Sequence, residues 1–301
     1  MKKITLLLLF LSCVTPGIAQ QVPDTTFAVN LPNPTYKQGK GPAICIDSAH
    51  NNFHTLTGGY APFARLMRKD GYKVIDQSDI VTDKKVMAEC EIYLIANPIH
   101  ESNLGNWQLP NPSALSEVEI TVIKSWVENG GSLFLIADHM PFAGAASELA
   151  TEFGFQMSNG FAFLSDNENQ PDLFSRENGR LLESPVTGLE ISTVTSFTGS
   201  AFQYPDDAIP VMVFSEGDYS LEPEIAWQFE EDTKKVELDG YAQGALLAFG
   251  EGKIAMFGEA AMFTAQTMTT EQGTFSFGFN SERLAPQNIS FLLNIVHWLD
   301  S

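Results

Sequence analysis

The sequence predicts an α/β fold in three layers around a mainly parallel sheet. Short apolar runs recur, and each stops at a polar residue. They are Ala43 to Asp47, Ile92 to Ala96 before Asn97, Leu133 to Ala137 before Asp138, and Lys253 to Phe257 before Gly258-Glu259. Continuous apolar runs mark strands covered on both faces. Amphipathic stretches lie between the runs, and this alternation implies right-handed crossovers and a parallel sheet. Four of the five histidines, His50, His54, His100 and His139, fall just past these runs. In such a sheet the carboxyl ends of the strands open on one edge, where ligands bind.

The elements follow in order. Residues 1–19 read as an export leader. Lys2 and Lys3 precede an apolar core, Ile4 to Leu11, and a small-residue cleavage site at Gly17-Ile18-Ala19. The apolar run is too short to span a bilayer, and lipid attachment at Cys13 is the alternative. Residues 20–42 are polar and proline-rich, a linker or irregular strap before a single domain over 43–301. Pro62 to Lys69 is expected helical, ended by Gly71, and Tyr72 to Ile75 is a short strand. Ser116 and Glu119 form a capping box that opens a helix to Glu128. Asn129-Gly130-Gly131 stops it before the strand Ser132 to Ala137. Gly144 to Phe153 is the next helix. Asp166 to Glu177 is expected to be a loop. Leu189 to Thr198, Val211 to Ser215 and Glu224 to Phe229 are expected strands. Ala245 to Phe249 and Lys253 to Phe257 flank Gly250-Glu-Gly252 as a hairpin. Helices are expected at Ala260 to Gln266 and Asn288 to Leu299.

Charge narrows the partners. The net charge is −20, and removal of Lys2 and Lys3 with the leader makes the balance more acidic. Such a surface repels phosphate backbones, so nucleic acid is not an expected partner. No stretch suits a transmembrane helix, and no motif suits a nucleotide cofactor. The expected location is periplasmic or extracellular. Cys45 lies within a strand and Cys90 precedes another. A disulfide and two buried free thiols are both open at this level.

The candidate site is the set of strand-end residues. Asp47, His50, His54 and His139 offer the donors of a divalent-metal site, with zinc the ion their chemistry suits best. A metal-free hydrogen-bonded network is the competing reading. Asp138, His139 and Glu259 are the candidate acid–base groups. Glu259 reads equally well as a cap on the following turn. Asn97, His100, Gly58, Gly59 and Tyr60 are candidates for holding substrate, the glycines as an anion-binding nest. His297 lies in the last helix and reads as structural.

Three segments carry a resemblance. Trp126 to His139 resembles the W-x-x-x-G-G-x-φ-φ-φ signature of class I glutamine-amidotransferase-like domains, φ being apolar. Gly252 to Glu259 resembles their G-[KR]-φ-φ-φ-φ-G-[DE] strand, and Asn288 to Leu299 their closing helix. The resemblance implies a flavodoxin-like α/β domain. It also implies a departure. The elbow that carries the nucleophilic Cys in amidotransferases reads Ala137-Asp138-His139-Met140 here, so glutaminase chemistry is not expected. The chain is similar to the Cys-less branch, with its ThuA-like and DUF4350-like members. ThuA-like proteins tend to place a His where His139 stands, and their link to sugar metabolism implies a carbohydrate-type ligand. The expected function is therefore a secreted hydrolase of a small polar substrate, with water activated by a metal or by Asp138, His139 or Glu259. A non-catalytic binding module on the same fold is the alternative.

Overall fold

A computed structural model of the chain describes residues 21–166, 171–270 and 273–301. The expected leader and Cys13 lie outside the described residues, as do positions 167–170 of the expected 166–177 loop. The elements of the first half are β1 (Gln21–Pro23), β2 (Ala43–Asp47), α1 (Ala61–Lys69), β3 (Lys73–Gln77), β4 (Ile92–Ala96), α2 (Glu117–Glu128), β5 (Ser132–Ile136) and α3 (Phe142–Thr151). Eight short strands follow: β6 (Gln156–Phe163), β7 (Asp172–Ser175), β8 (Thr193–Ser196), β9 (Gly199–Gln203), β10 (Ile209–Val213), β11 (Tyr219–Glu222), β12 (Lys234–Glu237) and β13 (Ala242–Phe249). The chain closes with β14 (Gly252–Phe257), β15 (Ala265–Thr270), β16 (Gly273–Gly278) and α4 (Asn288–Asp300).

The central sheet has 11 strands and is mixed. β14, β5, β4, β2 and β3 lie side by side and parallel. The expected mainly parallel sheet is therefore parallel in this half only. From β13 outward the ladder is antiparallel, through β9, β6, β11 and β12, with β10 also on β13. The hairpin from β13 to β14 forces the reversal, since a two-residue connection joins only antiparallel strands. β1, β15 and β16 form a small sheet of their own.

Side chains alternate across the parallel half and feed two hydrophobic clusters. Ile44, Leu94, Phe134 and Phe257 face one cluster with Phe63 of α1 and Phe291 of α4. Cys45, Tyr93, Leu135 and Met256 face the other with Ile123 of α2 and Leu149 of α3. The capping box is formed, with Ser116 accepting from the Glu119 amide and Glu119 accepting from the Ser116 amide. Cys45 and Cys90 are joined as a disulfide, with Cα atoms 5.6 Å apart. It ties β2 to the residue two before β4.

Three expected elements differ. Ala260 to Gln266 is not a helix. A single 3-10 turn, Ala261–Phe263, is followed at once by β15, whose pairing with β16 captures the rest. Glu224 to Phe229 is not a strand, because Trp227 takes a left-handed φ of 68°, which a strand cannot accommodate. Only Ile225 makes a bridge, to Gln108. The expected 166–177 loop contains β7.

Candidate functional site at the strand edge

Parallel pairing brings Asp47, Asn97, Asp138 and Glu259 to one edge, each at or just beyond the carboxyl end of its strand. All four are 8 % exposed or less. Asn97 holds the edge together. Its backbone N–H donates to Ile136 and its carbonyl accepts from Phe53. Its side chain accepts from the Asp138 amide at 2.9 Å and donates to the Asp138 carboxylate at 3.3 Å. Its φ of 51° is left-handed, a conformation asparagine tolerates better than most residues.

The histidines separate into different settings. His50 is buried between two carboxylates: Nδ1 meets Asp47 at 2.8 Å and Nε2 meets Glu119 at 2.8 Å. Burial would lower its pKa, but the Asp47 and Glu119 carboxylates outweigh that and push it up to about 9. It is therefore an imidazolium at neutral pH, and both nitrogens donate. The other Asp47 oxygen accepts from the Tyr93 hydroxyl at 2.8 Å. His54 is stacked on Tyr60, with ring centroids 4.8 Å apart. Burial depresses it to about 3, so it is neutral, and its Nδ1 has no hydrogen-bond partner. His100 caps the short turn at 101–103 through Ser102. His297 bonds Asp70 at 2.7 Å and Thr35 at 2.9 Å, far from this edge in the sequence and on the last helix.

This distribution does not fit one shared ion. His50 has no free nitrogen, and Asp47 is spent on His50 and Tyr93. Among the described residues, no group of three or more His, Cys, Asp or Glu side chains is placed to hold a metal. The expected glycine nest also has another explanation. A Cβ on Gly59 would lie 2.2 Å from His54 Nδ1, so glycine is needed there to admit the ring. Gly58 closes a turn on Thr55. Tyr60 is fully buried and donates its hydroxyl to the Ala260 carbonyl at 3.0 Å, so it does not face a ligand.

Asp138 and Glu259 form a buried pair of carboxyls. Burial raises both, and the charge of Asp138 raises Glu259 further. Two like charges in one buried site oppose each other's ionisation, which holds both carboxyls up from their ordinary values. Glu259 also accepts from the Ala261 amide at 2.6 Å and the Met262 amide at 2.8 Å. It thus caps the 3-10 turn.

His139 is 8 % exposed and lies among aromatic rings. Its Nδ1 donates to the Met140 carbonyl at 2.7 Å, which leaves Nε2 as a lone-pair acceptor in the neutral ring. Phe161 stacks on it at 4.4 Å and Trp227 meets it edge-on at 4.8 Å. Phe142 and Trp107 lie 6.0 and 6.1 Å away. Phe53 in turn contacts Trp107 and Phe142. The loop that carries Trp227 is sewn to the Trp107 loop, where Ala226 N–H donates to Trp107 O and Leu109 N–H to Glu224 O. The surface over His139 is therefore aromatic, with Phe53 58 % and Trp227 53 % exposed. Beside it is an open depression of about 690 Å³ lined by Gln108, Asn111, Asn159, Glu224 and Ile225 among others.

Sequence reasoning missed Glu119, Phe161 and Trp227. Glu119 was legible only as a helix cap, and it does both jobs. One carboxylate oxygen serves Ser116 and the other serves His50. The aromatic residues gave no signal beyond the 22 phenylalanines in the composition.

No family model matches the chain, and no curated protein matches it in sequence. Solved structures do match in fold. The N-terminal domain of mmIFT52 is 14% identical with a TM-score of 0.60, covering 86% of this chain and 97% of that one. Cytoplasmic protein STM1381 from Salmonella typhimurium LT2 is 12% identical with a TM-score of 0.52, covering 86% and 100%. The structural neighbours include a ThuA-like protein from Bacteroides uniformis, 13% identical, TM-score 0.47, covering 90% and 94%. At these identities the first two likenesses show a shared α/β fold and nothing of activity.

Proposed function

We propose that the protein binds a neutral carbohydrate at the strand edge, on the aromatic surface over His139. The observation that carries this is Trp227. It is a large apolar ring, more than half exposed, held in a left-handed backbone conformation beside an amide- and carboxylate-lined depression. Exposed aromatic faces beside fixed hydrogen-bonding groups suit a ring that is apolar on its C–H face and polar at its rim. The strand-end acids are engaged internally, which favours binding over chemistry. The test is calorimetric titration with neutral oligosaccharides, comparing the parent protein with Trp227→Ala and, separately, Phe53→Ala. Binding lost in both variants, with folded protein retained, supports the reading. Equal affinity in all three refutes it.

One arrangement favours a hydrolase on the same surface. His139 Nε2 is left free by the Nδ1 bond to Met140, and Asp138 and Glu259 nearby are both raised by burial. In that reading His139 takes a proton from water and Asp138, behind it, steadies the charge. Turnover of a glycoside or ester panel that vanishes in His139→Ala would establish it; turnover that persists in His139→Ala, or none by the parent, removes it. Export belongs to the same proposal. It rests on the leader-like residues 1–19 and on the disulfide between Cys45 and Cys90, a bond that persists in oxidising compartments. Intact-mass measurement of the natively expressed protein decides it. Loss of residues 1–19 supports export, and retained Met1 overturns it.

A further inference from the structure

A second cavity lies on the outer side of α1 and shares no lining residue with the strand edge. The chain from Phe27 to Gln38 runs along this helix as a strap pinned at both ends. At one end Arg65 donates to the carbonyls of Asp24 at 2.7 Å and Phe27 at 3.4 Å. At the other, Tyr36 N–H donates to the Asp70 carbonyl at 3.0 Å and Thr35 N–H to its carboxylate at 2.7 Å. Among the described hydrogen bonds none involves residues 28–34, which arch between the pins. Beneath the arch is a cavity of about 640 Å³, within the range of small-molecule sites.

Its walls are of two kinds. Phe27, Val29 and Leu31 of the strap face Pro62 and Leu66 of the helix, and these are apolar. The remaining charged lining is Lys37, Arg65, Arg68 and Lys69, with no acidic residue. The chain carries 37 acidic residues against 17 basic ones, so four cations around one cavity are a local reversal of its charge. Favourable interaction with the helix C-terminus accounts for Arg68 and Lys69. It does not account for Lys37, which the strap delivers, while Arg65, in the middle of the helix, is the pin of the strap. The Tyr36–Asp70 bond brings Lys37 and Lys69 to the same end. Among the described interactions neither lysine has an ion-pair partner.

We propose that this cavity binds a small amphiphilic carboxylate of the fatty-acid type. The tail lies between strap and helix, and the carboxylate lies at the Lys37 and Lys69 end. The inference is independent of the carbohydrate reading, and either can fail without the other. The probe is laurate, titrated calorimetrically into the full chain below its micellar concentration. Dodecyltrimethylammonium, with the same tail and the opposite charge, is the control. The proposal expects saturable binding of laurate and at least about tenfold weaker binding of the cation. The double substitution Lys37→Gln and Lys69→Gln, at exposed positions, should weaken laurate by a similar factor while the protein stays cooperatively folded, with at most a small fall in thermal midpoint from the lost charge at the helix C-terminus. Leu31→Asp should weaken both amphiphiles. No saturable laurate binding, equal affinity for the cation, or full affinity in the lysine variant would each overturn the proposal. Binding to phosphatidylglycerol vesicles without binding to laurate would also overturn it, and would assign the basic face to a membrane surface.

Discussion

His50 shows how a residue chosen for one role serves another. Its place past a strand end made it a candidate metal ligand with His54 and His139, yet its ring is clamped between Asp47 and Glu119. Its folded pKa of about 9 lies above the ordinary value of 6.5. The stability it contributes is therefore complete below pH 6.5 and is lost as pH rises through 9. The expected loss across that window is roughly 2–3 kcal/mol. Denaturant titrations at pH 6 and pH 9.5, run on the parent and on His50→Gln, check it. The variant should be less stable at pH 6 by about 3–5 kcal/mol, because it leaves two carboxylates unpaired, and its own pH dependence should be flatter. A parent no steeper than the variant contradicts the clamp. Gly59 gives a second residue-scale prediction. Gly59→Ala should cost about 1–3 kcal/mol through the clash with His54, and the cost should shrink in a His54→Ala background. Additive losses in that double-mutant cycle would separate the two residues.

At the scale of elements, the disulfide links β2 to the approach of β4 and closes a separation of 45 residues. Cys90→Ser should lower stability by about 2–4 kcal/mol, measured by thermal midpoint under non-reducing conditions, and leave ligand affinity unchanged. Lost affinity with full stability would place the bond in the site. The elements themselves divide by how much of their cause is local. The strands at 43–47, 92–96 and 253–257 were legible because both faces are covered, so all but their end residues Asp47 and Lys253 are apolar. The helix at 117–128 was legible because Ser116 and Glu119 cap it within one turn. The antiparallel half was not. β6 contains Asn159-Gly160, which reads as a turn, and β11 and β12 are four residues each, too short for a clear period. The loop around Trp227 was read as a strand from its short apolar run, Ile225 to Trp227. Its conformation is set by hydrogen bonds to the Trp107 loop, more than a hundred residues earlier. Convergence of the strand ends was visible in the sequence, but which side chains would neutralise one another there was not, since Glu119 comes from a helix.

At the scale of the whole molecule, charge and shape together restrict the ligand. The net charge is −20, and the depression beside Trp227 is lined by Glu224 with amides and no basic residue. Acidic saccharides should be repelled, and neutral ones, whose hydroxyls donate to carboxylates and amides, accepted. A uronic-acid oligosaccharide should therefore bind more weakly than its neutral counterpart, with the gap narrowing as salt is raised. Among the described residues no helix is long and apolar enough to cross a membrane, so the exposed rings over His139 are not part of a membrane-spanning helix. The most direct test is the calorimetric affinity of the parent protein and Trp227→Ala for a panel of neutral oligosaccharides. The account predicts saturable binding of at least one panel member by the parent and about tenfold to a hundredfold weaker binding by the variant. Binding of equal strength in the two proteins, or none by the parent, would contradict it.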